Sequence, residues 1–124
     1  MLKCELVELP EAVVLELHGE IDIGTTMTFR RYLGIAAGCQ KPILLDMKHL
    51  QYFDSSGARV IEMFLPHAWD QAGPVAIISP APIVRRGLQL LEVDRQVPLF
   101  GSVASALAWL RTSPLELDDE RKKP

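Results

Sequence analysis

The sequence predicts an α/β fold: a single domain, residues 1–111, with a mixed β-sheet of four to five strands and about four helices. Three observations carry this reading. Two runs near the start alternate apolar and polar residues, with the two-residue period of half-buried strands. Two later runs, Ile43–Leu45 and Val75–Ile78, are apolar on successive residues, as in strands covered on both faces. Between and after them, apolar residues recur at three- and four-residue steps, the pattern of helices with one buried face.

The first alternating run places Leu2, Cys4 and Leu6 on one side. The second places Val13, Leu15 and Leu17 on one side, and Gly19 ends it. The short link through Pro10 favours an antiparallel hairpin. After the polar stretch Glu20–Thr26, either Thr25 or Thr26 is expected to cap a helix, because a hydroxyl accepts from its free first-turn amides. Phe29, Leu33, Ala36 and Ala37 form that helix's apolar stripe, and Gly38 falls near its end.

Pro42 opens the strand at Ile43–Met47. From Ser56, the residues Ala58, Ile61, Leu65 and Ala68 follow helical steps, with Val60, Phe64 and Trp69 widening the face. Trp69 is expected in the core rather than as an exposed anchor. Pro66 removes a hydrogen bond and crowds the preceding turn, so a kink or a split is expected near Phe64–Leu65. Gly73-Pro74 is a break before the next strand, Val75–Ile78. Pro82 suits the first turn of a third helix, where Ile83, Gly87, Leu90 and Leu91 are expected on one side with Val84 and Leu88 beside it. Val97–Phe100 reads as a short edge strand, since Pro98 cannot donate to a ladder. Ser102 caps the last helix, which buries Val103, Ala106, Leu107 and Leu110. Residues 112–124 read as a charged, mobile tail.

Composition excludes several classes of function. With 124 residues, 48% hydrophobic, the chain is long enough for one domain with a substantial core. A net charge of −3 and the isolated pairs Arg30-Arg31 and Arg85-Arg86 argue against direct nucleic-acid binding. The start lacks the basic and long apolar segments of a signal peptide, and no apolar run approaches the roughly 18 residues of a membrane helix. A cytoplasmic protein without membrane insertion is expected. Cys4 and Cys39 are expected to be reduced and partly buried. His18, His49 and His67 show no ligand spacing, so no metal site is expected, and no nucleotide loop or other cofactor motif stands in the chain.

The stretch with chemical character is Tyr52-Phe53-Asp54-Ser55-Ser56-Gly57. It places two hydroxyls and a carboxylate in a connection from strand to helix. A helix start offers unpaired N–H groups and a partial positive charge, which favour a phosphate. From spacing alone, a polar loop with a helix cap is the favoured explanation. No Gly-x-Ser-x-Gly elbow surrounds Ser55, and no base with an orienting partner is evident, so no catalytic residue is expected.

In three places and in order, the chain resembles the STAS domain family (sulfate transporter and anti-sigma factor antagonist). Gly19-Glu20-Ile21-Asp22 resembles the turn after that family's second strand. Leu44-Leu45-Asp46-Met47 followed by Phe53-Asp54-Ser55-Ser56-Gly57 resembles its third strand and switch loop. Ile78-Ser79-Pro80, an arginine-bearing helix with Leu90-Leu91, and Phe100 before Ala106-Leu107 resemble its final third. The resemblance implies an anti-sigma factor antagonist-like regulator whose phosphorylated hydroxyl is Ser55. It implies two protein partners: an anti-sigma factor with GHKL-type serine kinase activity, and a PP2C-type phosphatase. The expected partner-binding residues are Asp22, Asp54, Ser55, Ser56, Gly57 and Arg59. Ala58-Arg59 departs from the family's Leu-Gly after the glycine, and Arg59 puts a positive charge within one turn of Ser55. The alternative is a STAS scaffold subunit of a transport or signalling complex that is not phosphorylated.

Overall fold

The alternating N-terminal runs form the expected hairpin. In the computed structural model, which describes residues 1–112, β1 (Leu2–Glu8) pairs antiparallel with β2 (Val13–Ile21), with Leu6 opposite Leu15. The rest of the sheet is parallel. β2 lies beside β3 (Ile43–Asp46), β3 beside β5 (Val75–Ile78), and β5 beside the two-residue β6 (Leu99–Phe100). A further strand, β4 (Leu50–Phe53), pairs with the end of β2. The sheet therefore has six strands, where four or five were expected.

The additional strand is β4. β3 and β4 run along the same strand, β2, one beside its first half and one beside its last three residues. A turn at Met47–His49 separates them, and the register along β2 shifts between Gly19 and Glu20. Gly19 fits this point. Its φ of +108° disfavours other residues, and a Cβ there would stand 2.2 Å from the Met1 carbonyl oxygen.

Four helices follow the expected order: α1 (Thr26–Ala37), α2 (Ser55–Gln71), α3 (Pro82–Leu90) and α4 (Val103–Arg111), with a 3₁₀ turn at Val93–Arg95. Leu15, Leu17, Ile43, Leu45 and Ile77 point to one side of the sheet, where Phe29 and Leu33 of α1, Ile61 and Leu65 of α2, and Val84 and Leu88 of α3 cover them. Val14, Leu44, Ala76 and Ile78 point to the other side and meet Ala106 of α4. This two-sided burial explains why β3 and β5 are apolar at successive positions. Arg111 forks onto both carboxylate oxygens of Glu11, tying the end of α4 to the hairpin turn.

Three local expectations change. α2 runs unbroken through Pro66, so the split near Phe64–Leu65 does not occur. Ile61, Leu65 and Ala68 are buried on both sides of the proline, and this stripe keeps the helix docked across the lost hydrogen bond. On α3, Ile83 and Leu90 are 74% and 72% exposed, and Val84 and Leu88 form the buried stripe instead. A nine-residue helix laid on the sheet buries only a narrow seam, and the other apolar positions are left in water. Thr25 occupies the cap position of α1 but does not cap it with its side chain. Its hydroxyl turns back, donating to the Glu20 carbonyl and accepting from the Asp22 amide.

Both cysteines are free and half-buried, and burial pushes the Cys4 thiol up to about 11. Trp69 is half-buried. Among the described residues, no helix is long and apolar enough to cross a membrane. Apart from Thr112, the expected tail lies outside the described residues.

Candidate functional site

Parallel pairing of β2 with β4 sets Glu20 beside Tyr52 and Ile21 beside Phe53. The two chains therefore leave the sheet side by side. One continues into the Asp22 loop, the other into Asp54 and α2. Asp22 accepts the Gly24 amide at 2.9 Å and thereby forms a tight turn. The hydroxyl of Thr25 pins this loop from within. Ile23, between Asp22 and Gly24, is left almost fully exposed.

Asp54 is the N-cap of α2, in extended backbone conformation. Its Oδ1 accepts both the Ser56 amide, at 2.9 Å, and the Ser56 hydroxyl. Its Oδ2 accepts the Tyr52 hydroxyl at 3.1 Å. The hydrogen bonds from the Ser56 hydroxyl and amide and from Tyr52 hold the Asp54 carboxyl below the usual carboxylate range. The same contact with Asp54 pushes the Tyr52 phenol up, and the negative charges of Asp54 and Asp22 add to it.

Ser55 is the first residue of α2 and is exposed. Its hydroxyl has no hydrogen-bond partner among the described residues. The two serines thus differ in chemistry despite being neighbours: the hydroxyl proton of Ser56 is committed to Asp54, whereas Ser55 faces solvent. Ser55, Ser56, Ala58, Arg59 and Glu62 line a shallow depression together with Ile23 from the opposite loop. Arg59 is one turn after Ser55 on the same face.

Gly57 lies underneath and is buried. A Cβ there would stand 2.7 Å from both Ile21 Cγ2 and Phe53 Cε1. Its missing side chain lets the start of α2 sit directly on β2 and β4, which fixes the height of Ser55 above the sheet. The fold therefore gathers Asp22, Asp54, Ser55, Ser56 and Arg59 at one surface, with Gly57 as the contact beneath them.

Two contributors had no role assigned from the sequence. Ile23 sits in a stretch that reads as polar connection, and its apolar character is the sole signal. Tyr52 reads as part of a loop, because β4 has only Leu50 and Phe53 turned inward and shows no alternation. No imidazole lines the depression; His49 is stacked on His18 instead, with ring centroids 4.9 Å apart.

Comparison with known proteins agrees with the fold. The family model for the STAS domain matches residues 3–106. An anti-sigma factor antagonist from Mycobacterium paratuberculosis superposes with a TM-score of 0.79 at 19% identity, covering 90% of this chain and 95% of the other. The phosphorylated form of the Bacillus cell fate determinant SpoIIAA gives 0.61 at 21% identity, covering 90% and 100%. The STAS domain of a SulP transporter from Vibrio cholerae gives 0.63 at 19% identity, covering 89% and 88%. At these identities the likeness is one of fold.

Proposed function

Because the chain belongs to the STAS domain family, we propose that it is an anti-sigma factor antagonist-like regulator, binding a protein partner and switched off by phosphorylation of Ser55. The single observation that supports this most is the asymmetry of the two serines: Ser56 is held by Asp54, and the Ser55 hydroxyl is exposed and free at the first position of α2. The existence of a phosphorylated SpoIIAA of the same fold supports it from outside.

A phosphoryl group on Ser55 adds about −1.5 to −2 charges at neutral pH. It would stand at the positive end of α2 and one turn from Arg59, so the domain itself accommodates it without unfolding. A partner surface fitted to a small hydroxyl must then desolvate a dianion, and the complex dissociates. The kinase in this reading is the partner itself, an anti-sigma factor with a GHKL-type ATP site, and a PP2C-type phosphatase restores binding. Asp22, Asp54, Ser55, Ser56 and Arg59 form the contact surface, and Gly57 shapes it from below. The protein acts by binding and not by catalysis.

The test is incubation with the cognate kinase and ATP, followed by mass spectrometry. One phosphate is expected on wild type and on Ser56→Ala, and none on Ser55→Ala. Equal labelling of Ser55→Ala and wild type would show that the acceptor lies elsewhere. A second reading, a scaffold subunit that is never phosphorylated, is favoured by the likeness to a transporter's STAS domain. Recovery of a defined complex with a transporter subunit, together with an unmodified Ser55 in cells, would establish it.

A further inference from the structure

The face of the sheet that α4 leaves partly open carries a second group of side chains. Glu5 of β1 and Glu16 of β2 are directly opposite each other in the antiparallel ladder. His18, two residues after Glu16, shares their face. One donor atom from each of the three lies within 4.8 Å of the others.

The imidazole adds an independent sign. His18 Nε2 has less than 1 Å² of accessible area and no hydrogen-bond partner among the described residues. It is aimed at Glu16 Oε1, 3.5 Å away. The ring is fixed in this orientation by His49, whose ring lies nearly parallel to it at 14°. A buried ring nitrogen without a partner is costly, and here it faces the Glu16 carboxylate, with Glu5 in the same cluster.

We propose that Glu5, Glu16 and His18 bind a divalent transition-metal ion of the zinc class. Two carboxylates and one imidazole neutralise a 2+ charge when the imidazole is neutral. In a four-coordinate site with bonds of about 2.0–2.2 Å, donor atoms stand roughly 3–3.5 Å apart. The present spacing needs only small rotamer changes to reach that. Three protein ligands leave a position for water or for a group from another molecule. The nitrogen donor favours zinc, cobalt or nickel over magnesium and calcium, which prefer all-oxygen shells. The His18 and Glu16 side chains are each 33% exposed although the Nε2 atom itself is covered, so an ion enters once these side chains rotate outward. Two adjacent strands supply all three ligands, and their backbones are held by the ladder, so the site needs no folding step to assemble.

Other charged groups face the site. Lys3, directly opposite His18, reaches Glu5 at 3.5 Å. Its side chain is 71% exposed, so it competes for Glu5 without blocking the position. Asp46 lies beside Glu16 in the register with β3, where its Oδ1 accepts the Lys48 amide. It adds negative potential next to the site.

The probe is zinc alone, titrated calorimetrically into untagged full-length protein after chelator treatment, with cobalt as the spectroscopic substitute. One ion per chain is expected, with cobalt absorption typical of low coordination number. Glu5→Gln and His18→Gln are each expected to weaken binding by roughly tenfold or more. Lys3→Gln is expected to preserve or tighten it. Glu5→Gln changes a solvent-facing side chain by one atom, so the fold is retained, and circular dichroism checks this. The inference is overturned if zinc shows no saturable binding up to millimolar concentration. It is equally overturned if the Glu5→Gln/His18→Gln double variant binds like wild type, which would place the ion on other groups of the chain.

Discussion

Asp54 holds the amide and the hydroxyl of Ser56 on one oxygen, Oδ1, with the amide nitrogen 2.9 Å away. This contact caps α2 and at the same time distinguishes the two serines. Removing it by Asp54→Ala is expected to cost about 1 kcal/mol, as for other N-cap carboxylates. Urea denaturation measures it. A loss well under half of that would mean that the cap contributes little to α2.

The pH dependence of this cap has a defined sign. The folded Asp54 carboxyl titrates below its ordinary range, chiefly through the Ser56 hydroxyl bond. Its contribution is fully present above the unfolded value, about 3.9, and is lost as pH falls through the lower folded value. Asp54→Asn keeps a capping oxygen but has no charge to titrate. Its stability is expected to fall less steeply with acid than wild type. Glu8 and Glu11, lowered by Lys41 and Arg111 respectively, add acid sensitivity of the same sign in both proteins.

Gly57→Ala tests the contact beneath the site. Alanine is the better helix former by about 1 kcal/mol. Here its methyl group would meet Ile21 and Phe53 at 2.7 Å. Overpacking of this kind costs about 1–3 kcal/mol, so the net effect is expected to be destabilising. Pairing the change with Phe53→Leu should recover part of the loss, and a double-mutant cycle on thermal unfolding reads the coupling.

Pro66→Ala is expected to act in the opposite direction. Pro66 is exposed inside α2 and leaves the Glu62 carbonyl without its helical donor. Alanine restores that bond, against about 0.4–1 kcal/mol lost through a freer unfolded chain. A net gain of about 1–2 kcal/mol in denaturant is expected, up to the full interior penalty of about 3 kcal/mol less this loss. A loss would mean that the ring contributes packing beside Leu65 and Trp69, which line the same surface cleft.

Thr25→Val removes the hydroxyl that bridges Glu20 and Asp22. A cost of about 1 kcal/mol is expected, together with faster amide exchange at Asp22. Unchanged exchange would show that the loop is held by its backbone alone.

Much of this architecture could be read from side-chain order. β3 and β5 were legible because Ile43, Leu44 and Leu45, like Val75 through Ile78, are buried on alternate faces of a covered sheet. The hairpin was legible because Leu2, Cys4 and Leu6 face one way. β4 was not, since four residues with Gln51 and Tyr52 in solvent leave no period to detect. The buried seam of α3 was misplaced for a related reason: Ile83, Val84, Leu88 and Leu90 are all apolar, and only docking decides which of them reach the sheet. At the candidate site, Asp54 and Ser55 stood out as residue types. The inequality of Ser55 and Ser56 depends on one carboxylate's orientation, which no spacing encodes.

The two strands that end the main path of the sheet, β1 and β6, are both poor templates for another chain. β6 offers only Leu99 and Phe100. β1 offers a longer run, but Lys3 and Glu5 place opposite charges along it and Pro10 stands just beyond its end. Charges and brevity are the means by which native sheets discourage strand addition. The domain is thereby kept from polymerising through its backbone, and it can be abundant without these strands seeding aggregates.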